Sequence, residues 1–117
     1  MIGNLIAKKS TEFAVRIVKL NRYLRDEKKE FVISDQVYRS GMSIGANVRE
    51  GIYAQSRSDF ISKMSIALKE ASETEYWLEV LSESGYLDSK QYESLQNNCS
   101  ELIKMLIATV KKSKTEK

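Results

Sequence analysis

Apolar residues recur along this chain at the spacing of one helix face. The first series, Ile6, Phe13, Ile17, Leu20 and Leu24, advances by seven, four, three and four positions, which keeps every member on one side of a 3.6-residue turn. It predicts a helix over about residues 4–28, ended by the charged cluster Arg25 to Glu30. Ser34 before Asp35 reads as a cap with an acid in the first turn, and so predicts a second helix over about 35–54 with Val37, Gly41, Ile44, Val48 and Ile52 inward. The polar run Gln55-Ser56-Arg57-Ser58 interrupts the pattern, and Ser58 reads as the cap of a third helix over about 59–84. Its series Phe60, Met64, Ala67, Ala71, Thr74, Leu78 and Leu81 alternates steps of four and three, a heptad seam. Gly85 is a left-handed stop from which Leu87 folds back on the last turn. Asp88 and Gln91 form a capping-box pattern opening a fourth helix over about 89–112, with Tyr92, Leu95, Cys99, Leu102, Leu106 and Val110 inward.

No proline occurs in the chain, so glycines and polar clusters are its only punctuation. Four amphipathic helices joined by short links predict an all-α, antiparallel up-down-up-down four-helix bundle, a single domain over 1–117. The 117 residues, 42% hydrophobic and 30% charged, are enough for one core. No run approaches the roughly 18 to 20 apolar residues of a membrane span, and the start MIGNLIAKKS has no leader-like stretch. A cytoplasmic protein without membrane contact is expected.

Candidate chemistry is limited by what is missing. The sequence holds one cysteine and no histidine, which excludes an internal disulfide, a His-based triad, a Cys/His zinc site and the Glu-x-x-His ligation of di-iron bundles. No catalytic residue, metal or cofactor is expected. Cys99 lies in the apolar seam and reads as a packing thiol. Gly41, Gly45 and Gly51 lack the strand and Lys-Ser/Thr context of a phosphate loop and instead mark close helix packing. Glu70, Glu73, Glu79 and Glu83 spread around the third helix as a solvated face. Glu75 sits at the edge of the seam, and antiparallel counting puts it level with Asn21, Ser40 and Gln96 as a structural polar layer.

The net charge of +3 is unevenly placed. Residues 1–25 carry a net +5 and residues 102–117 a net +4, while the middle carries −6. On the first helix Lys8, Lys9, Arg16, Lys19 and Arg22 share a face with Tyr23 and Val15, and Lys111 and Lys112 extend the basic character at the other end. Such a stripe is either an ordinary solvated face or a surface for phosphates. Two apolar stripes find no place in one core: Met42, Ala46 and Tyr53 with Arg49 on the second helix, and Ile66, Trp77 and Val80 on the third. Trp77 is either an interface anchor or half covered by the fourth helix. The stripes together predict self-association.

The run RSGMSIGANVREG from Arg39 to Gly51, followed by Gln55-Ser56, Asp59-Phe60, Ile66-Ala67 and the pair Ser72-x-x-Glu75, resembles the four-helix-bundle family called 23S-rRNA-intervening-sequence proteins. It is also similar to the accessory variability proteins of diversity-generating retroelements. The resemblance covers nearly the whole chain and places the family signature on Arg39, Ser40, Ser43, Ile44, Ala46, Asn47, Glu50, Gly51, Ser56, Phe60, Ala67, Ser72 and Glu75, mostly in architectural roles. The sequence departs from many relatives in the turn, where Gln55 and Arg57-Ser58 stand without a further basic residue before the serine. The resemblance implies a ring-like homo-oligomer, preferentially a pentamer, whose basic surface engages RNA or an RNA-associated protein. It names a gene context inside ribosomal RNA genes more than an activity. A structural oligomer or protein-binding scaffold without nucleic-acid binding is the alternative.

Overall fold

The computed structural model describes residues 2–116, with side chains from Leu5 onward. Four helices follow one another: α1 (Ile2–Asp26), α2 (Val32–Ile52), α3 (Arg57–Glu83) and α4 (Ser89–Thr115). Each backbone approaches those of its two neighbours, with α4 returning to α1, so the helices form a closed square, and among the described residues no diagonal pair comes into close backbone approach. The resulting all-α bundle measures 49 × 21 × 19 Å. No strand occurs among the described residues.

The core is the set of inward faces expected from the spacing. Ile6, Phe13, Ile17 and Leu24 of α1 meet Val37, Ile44 and Val48 of α2, Met64, Ala67, Ala71, Leu78 and Leu81 of α3, and Leu95, Cys99, Leu102 and Leu106 of α4, all buried. Ile52, Phe60, Tyr92 and Val110 are only half-buried and pack on the core margin. In the last turns of α4 Thr109 is buried instead of Val110, its hydroxyl donating to the Met105 carbonyl at 2.8 Å.

Helix ends follow local chemistry, with three departures from expectation. The Asp88–Gln91 capping box is formed in both directions. Gly85 takes φ +83°, and the Tyr86 and Leu87 amides donate to the Leu81 carbonyl while Leu87 is buried over the turn. The first departure is at α2, which begins at Val32 and is not capped by Ser34. The Glu30 carboxylate accepts from the Ile33 and Ser34 amides at 3.1 and 2.7 Å, and Ser34 is wholly buried. The second is at α3, whose cap is Ser56 and not Ser58; its hydroxyl accepts from the Asp59 amide at 3.0 Å. The third is length: α1 stops at Asp26, two residues early, and α4 continues to Thr115, three residues late.

Small residues set the helix spacing. A Cβ added at Gly41 would stand 2.8 Å from Ile17 Cγ1 of α1, and one at Gly51 would stand 3.0 Å from Met64 Cε of α3. Both close approaches belong to α2. The helices touch least on the α1–α4 side, and long polar side chains bridge them there.

Candidate functional site

The square divides into two halves of opposite character. In α2 and α3 polar contacts run from the exposed edge to the buried centre of the helix pair. Arg39 spans the two helices, its guanidinium donating to Glu70 at 3.2 Å and to Glu73. Glu73 also accepts from the Trp77 indole N–H at 2.9 Å, and Tyr76 meets the same indole edge-on at 5.0 Å between centroids. Trp77 is therefore held on the α2 side of α3, and it is not the fourth helix that covers it. Thr74 donates to Ser40 at 2.8 Å in full burial, and Lys63 pairs with Glu50 at 3.0 Å.

The four-residue polar layer does not exist as one layer. Asn21 donates to the Ser34 hydroxyl at 2.8 Å, Ser40 is bound by Thr74, and Gln96 donates to Glu75 at 2.7 Å. These are three separate pairs, each closing a different helix contact: α1–α2, α2–α3 and α3–α4. Cys99, below the third pair, donates from Sγ to the Ala71 carbonyl at 3.3 Å. Burial, helped by the nearby Glu75 charge, pushes its thiol up to about 12, so it carries no nucleophilic thiolate at neutral pH. Tyr92 is also raised, by burial and then by Glu79, Glu75 and Glu83, which shows an acidic field along the α3–α4 edge.

The other half, α1 and α4, is basic. α1 has six basic and two acidic residues and α4 five and two, a net +7, whereas α2 and α3 together carry −3. The structure sorts the expected basic stripe into two groups. Arg16 is half-buried and tied to α4, donating to the Ser94 carbonyl at 3.1 Å, the Ser94 hydroxyl at 2.8 Å and the Asn98 side chain. Lys9 pairs with Glu101 at 3.2 Å. Arg16 and Lys9 are thus engaged as cross-links between α1 and α4, which leaves them less available to a phosphate than the other cations of the stripe. Lys8, Lys19 and Arg22 are exposed, with no carboxylate within ion-pair distance among the described residues. Tyr23 is half-buried between them and the core, with the Lys28 ammonium 5.8 Å from its ring centroid. Lys111 and Lys112 are exposed near the end of α4.

The two apolar stripes lie on the α2–α3 half. Tyr53 is 80% exposed and Ile66 38%, Ala46 and Arg49 are exposed, and Met42, Trp77 and Val80 are half-buried. Arg49 reaches back to the Thr11 hydroxyl at 3.3 Å. Val32, at 76% exposure, and Tyr76, at 57%, are further exposed apolar side chains of these two helices that the spacing does not single out. No helix among the described residues is long and apolar enough to cross a membrane, and no three acidic or cysteine side chains among them gather as metal ligands.

The model of the 23S rRNA-intervening sequence protein family matches residues 4–108. The chain belongs to that family. Its fold is that of a crystal structure of a protein of unknown function from the S23 ribosomal protein family of Bacteroides thetaiotaomicron VPI-5482, at 57% identity and TM-score 0.93, over 95% of this chain and 99% of that one. Among curated proteins none matches the chain significantly. The family members therefore share a bundle whose function their names do not state. Arg39, Ser40, Gly51, Ser56 and Glu75, on which the sequence resemblance rested, all act here in packing, capping or pairing of α2 and α3 with their neighbours.

Proposed function

We propose that this chain is a non-enzymatic, self-associating cytoplasmic bundle that associates with RNA, alone or within a ribonucleoprotein, through the α1–α4 face. The observation that carries this reading is the charge division: a net +7 on α1 and α4 against −3 on α2 and α3, with Lys8, Lys19 and Arg22 left unneutralised on one side of α1. Lys8 and Lys19 stand about 16 Å apart along the helix, at roughly 1.5 Å per residue. That spacing lets them engage separate phosphates of one strand, each neutralised phosphate adding to a salt-dependent affinity.

Self-association on the opposite half leaves this face outward. The Met42, Ala46, Arg49 and Tyr53 stripe of one copy meets the Ile66, Trp77 and Val80 stripe of the next in a head-to-tail contact, which closes into a ring when the rotation divides a full turn. The family resemblance makes five copies the preferred number. Light scattering on wild type and on Tyr53→Ser with Ile66→Ser, both exposed positions, tests the contact: the variant should lose mass at micromolar concentration, and an unchanged mass contradicts it.

The RNA reading is tested by titrating labelled 23S rRNA fragments across a salt series. Lys8→Gln/Lys19→Gln/Arg22→Gln should weaken binding and flatten the salt slope by about three phosphate contacts. The scaffold reading is favoured by the acidic field of α3 and by the exposed Tyr53, Tyr76 and Val32, and it requires that wild type and variant bind RNA equally poorly.

A further inference from the structure

The α1–α4 face is not flat near the α3–α4 turn. A groove of about 280 Å³ opens there between the two helices. Its floor is apolar, made by Leu20, Leu87 and Leu95, and Lys19 stands on its rim. No acidic residue lines it. Tyr23 forms a wall shared with a second, more open hollow lined by Lys19 and Arg22 on one side and by Asp26 and Glu27 at its far end. Gln91 is at the edge of the groove; its Oε1 accepts from the Asp88 amide at 2.9 Å, while its Nε2 makes no hydrogen bond among the described residues. The groove thus presents an aromatic wall, an apolar floor, an unused amide donor and adjacent cations within one α1 turn of each other.

We propose that this groove binds one unstacked nucleobase of single-stranded RNA against Tyr23, with the flanking phosphates held by Lys19 and Arg22. The inference rests on the RNA reading of the α1–α4 face and adds the class of RNA, single strand in preference to duplex. The volume falls just below the usual range of small-molecule pockets, about 300 to 1,000 Å³, so it suits a single ring system. A nucleobase offers a flat apolar face to leucines and tyrosine and edge acceptors to the Gln91 amide. Its phosphates supply the anion that Lys19 and Arg22 lack. A duplex offers only its phosphates here, because its bases are stacked and paired, and an A-form major groove is too narrow for side chains to read. Aromatic stacking of this kind tolerates any base, so no sequence preference is expected from Tyr23 itself.

The test is fluorescence anisotropy at fixed salt with a labelled single-stranded oligoribonucleotide and its duplex. Wild type, Tyr23→Ala, Tyr23→Phe and Lys19→Gln/Arg22→Gln are compared. Loss of stacking should weaken single-strand binding by Tyr23→Ala about ten-fold, leave duplex binding and the salt slope unchanged, and spare Tyr23→Phe. Should Tyr23→Ala melt early, Tyr23→Leu, which keeps apolar packing without a π face, takes its place in the same comparison. Equal single-strand affinity of wild type and the Tyr23 variants, with weaker binding by the Lys19/Arg22 variant, overturns the nucleobase site and leaves the RNA reading standing. Absence of RNA binding by wild type overturns both.

Discussion

The α2–α3 half and the α1–α4 half are built from the same helical pattern and solve the packing problem differently. Glycines let α2 approach both neighbours, and Thr74 and Ser40 pair inside the contact while Arg39 reaches Glu70 and Glu73 from its exposed edge. On the α1–α4 side the helices touch least, and Arg16, Asn98, Lys9 and Glu101 span the contact while grooves remain between them. The residues that carried the resemblance lie on the first half, although the family model runs over residues 4–108 and so over all four helices. The exposed cations and the open grooves lie on the second half, and it is there that an anionic ligand is to be sought.

This comparison is open to experiment, beginning with the core. Leu78 is fully buried and Leu95 borders the groove. Leu78→Ala should cost about 2 to 5 kcal/mol in a chemical melt, and Leu95→Ala a value toward the low end of that range, because the groove lets water and side chains fill the loss. Equal costs contradict a looser α1–α4 side. Gly41→Ala comes next. The added Cβ at 2.8 Å from the stiff, β-branched Ile17 forces the helices apart, and a loss of about 1 to 3 kcal/mol is expected although alanine is the better helix former. A stabilised variant contradicts the close approach.

Cys99, on α4 against Ala71 of α3, gives a pH test of the core between the halves. Its thiol rises from an ordinary 9.0 to about 12 in the fold, so between those values the unfolded chain releases a proton that the native chain keeps. Stability from this group is complete below about pH 9 and falls with rising pH, by up to about 1.4 kcal/mol per unit. Melts from pH 8 to 10.5 should show that slope in wild type and a reduced one in Cys99→Ala, and parallel slopes contradict the burial. The smallest effect is at Arg16. Removing its bonds to Ser94 and Asn98 with Arg16→Ala should cost about 1 kcal/mol and speed amide exchange in α4 without affecting α2. A loss in RNA binding larger than that of Lys19→Gln contradicts its role as a cross-link.

Much of the bundle was legible because its cues are local. The four-three seam of α3, the Asp88–Gln91 box and the Gly85 stop each depend on a few neighbouring residues. Ser34 and Ser58 misled because a serine before a helix looks the same whether it caps or is buried, and the choice at α2 was made by Glu30 and by Asn21 on another helix. The polar residues at the core edge were legible as such, yet their partners depend on the rotation of each helix about its axis, which moved Ser40 to Thr74 and Asn21 to Ser34. The same rotation decided which cations remain available. Lys9 and Arg16 share a stripe with Lys8 and Lys19 in the sequence, but only Lys9 and Arg16 find partners on α4.

The central claim is that the basic α1–α4 half is the working surface. Ultraviolet crosslinking of the protein to single-stranded 23S rRNA fragments, followed by mass spectrometry of the peptides, tests it directly, since both halves carry solvent-accessible aromatics, Tyr23 and Tyr92 half-buried on one and Tyr53 and Tyr76 exposed on the other. Crosslinks are expected on the α1 peptide containing Tyr23 and on the first turns of α4. Crosslinks confined to Tyr53 of the α2 end or Tyr76 of α3 contradict the account and move the RNA to the half assigned here to self-association.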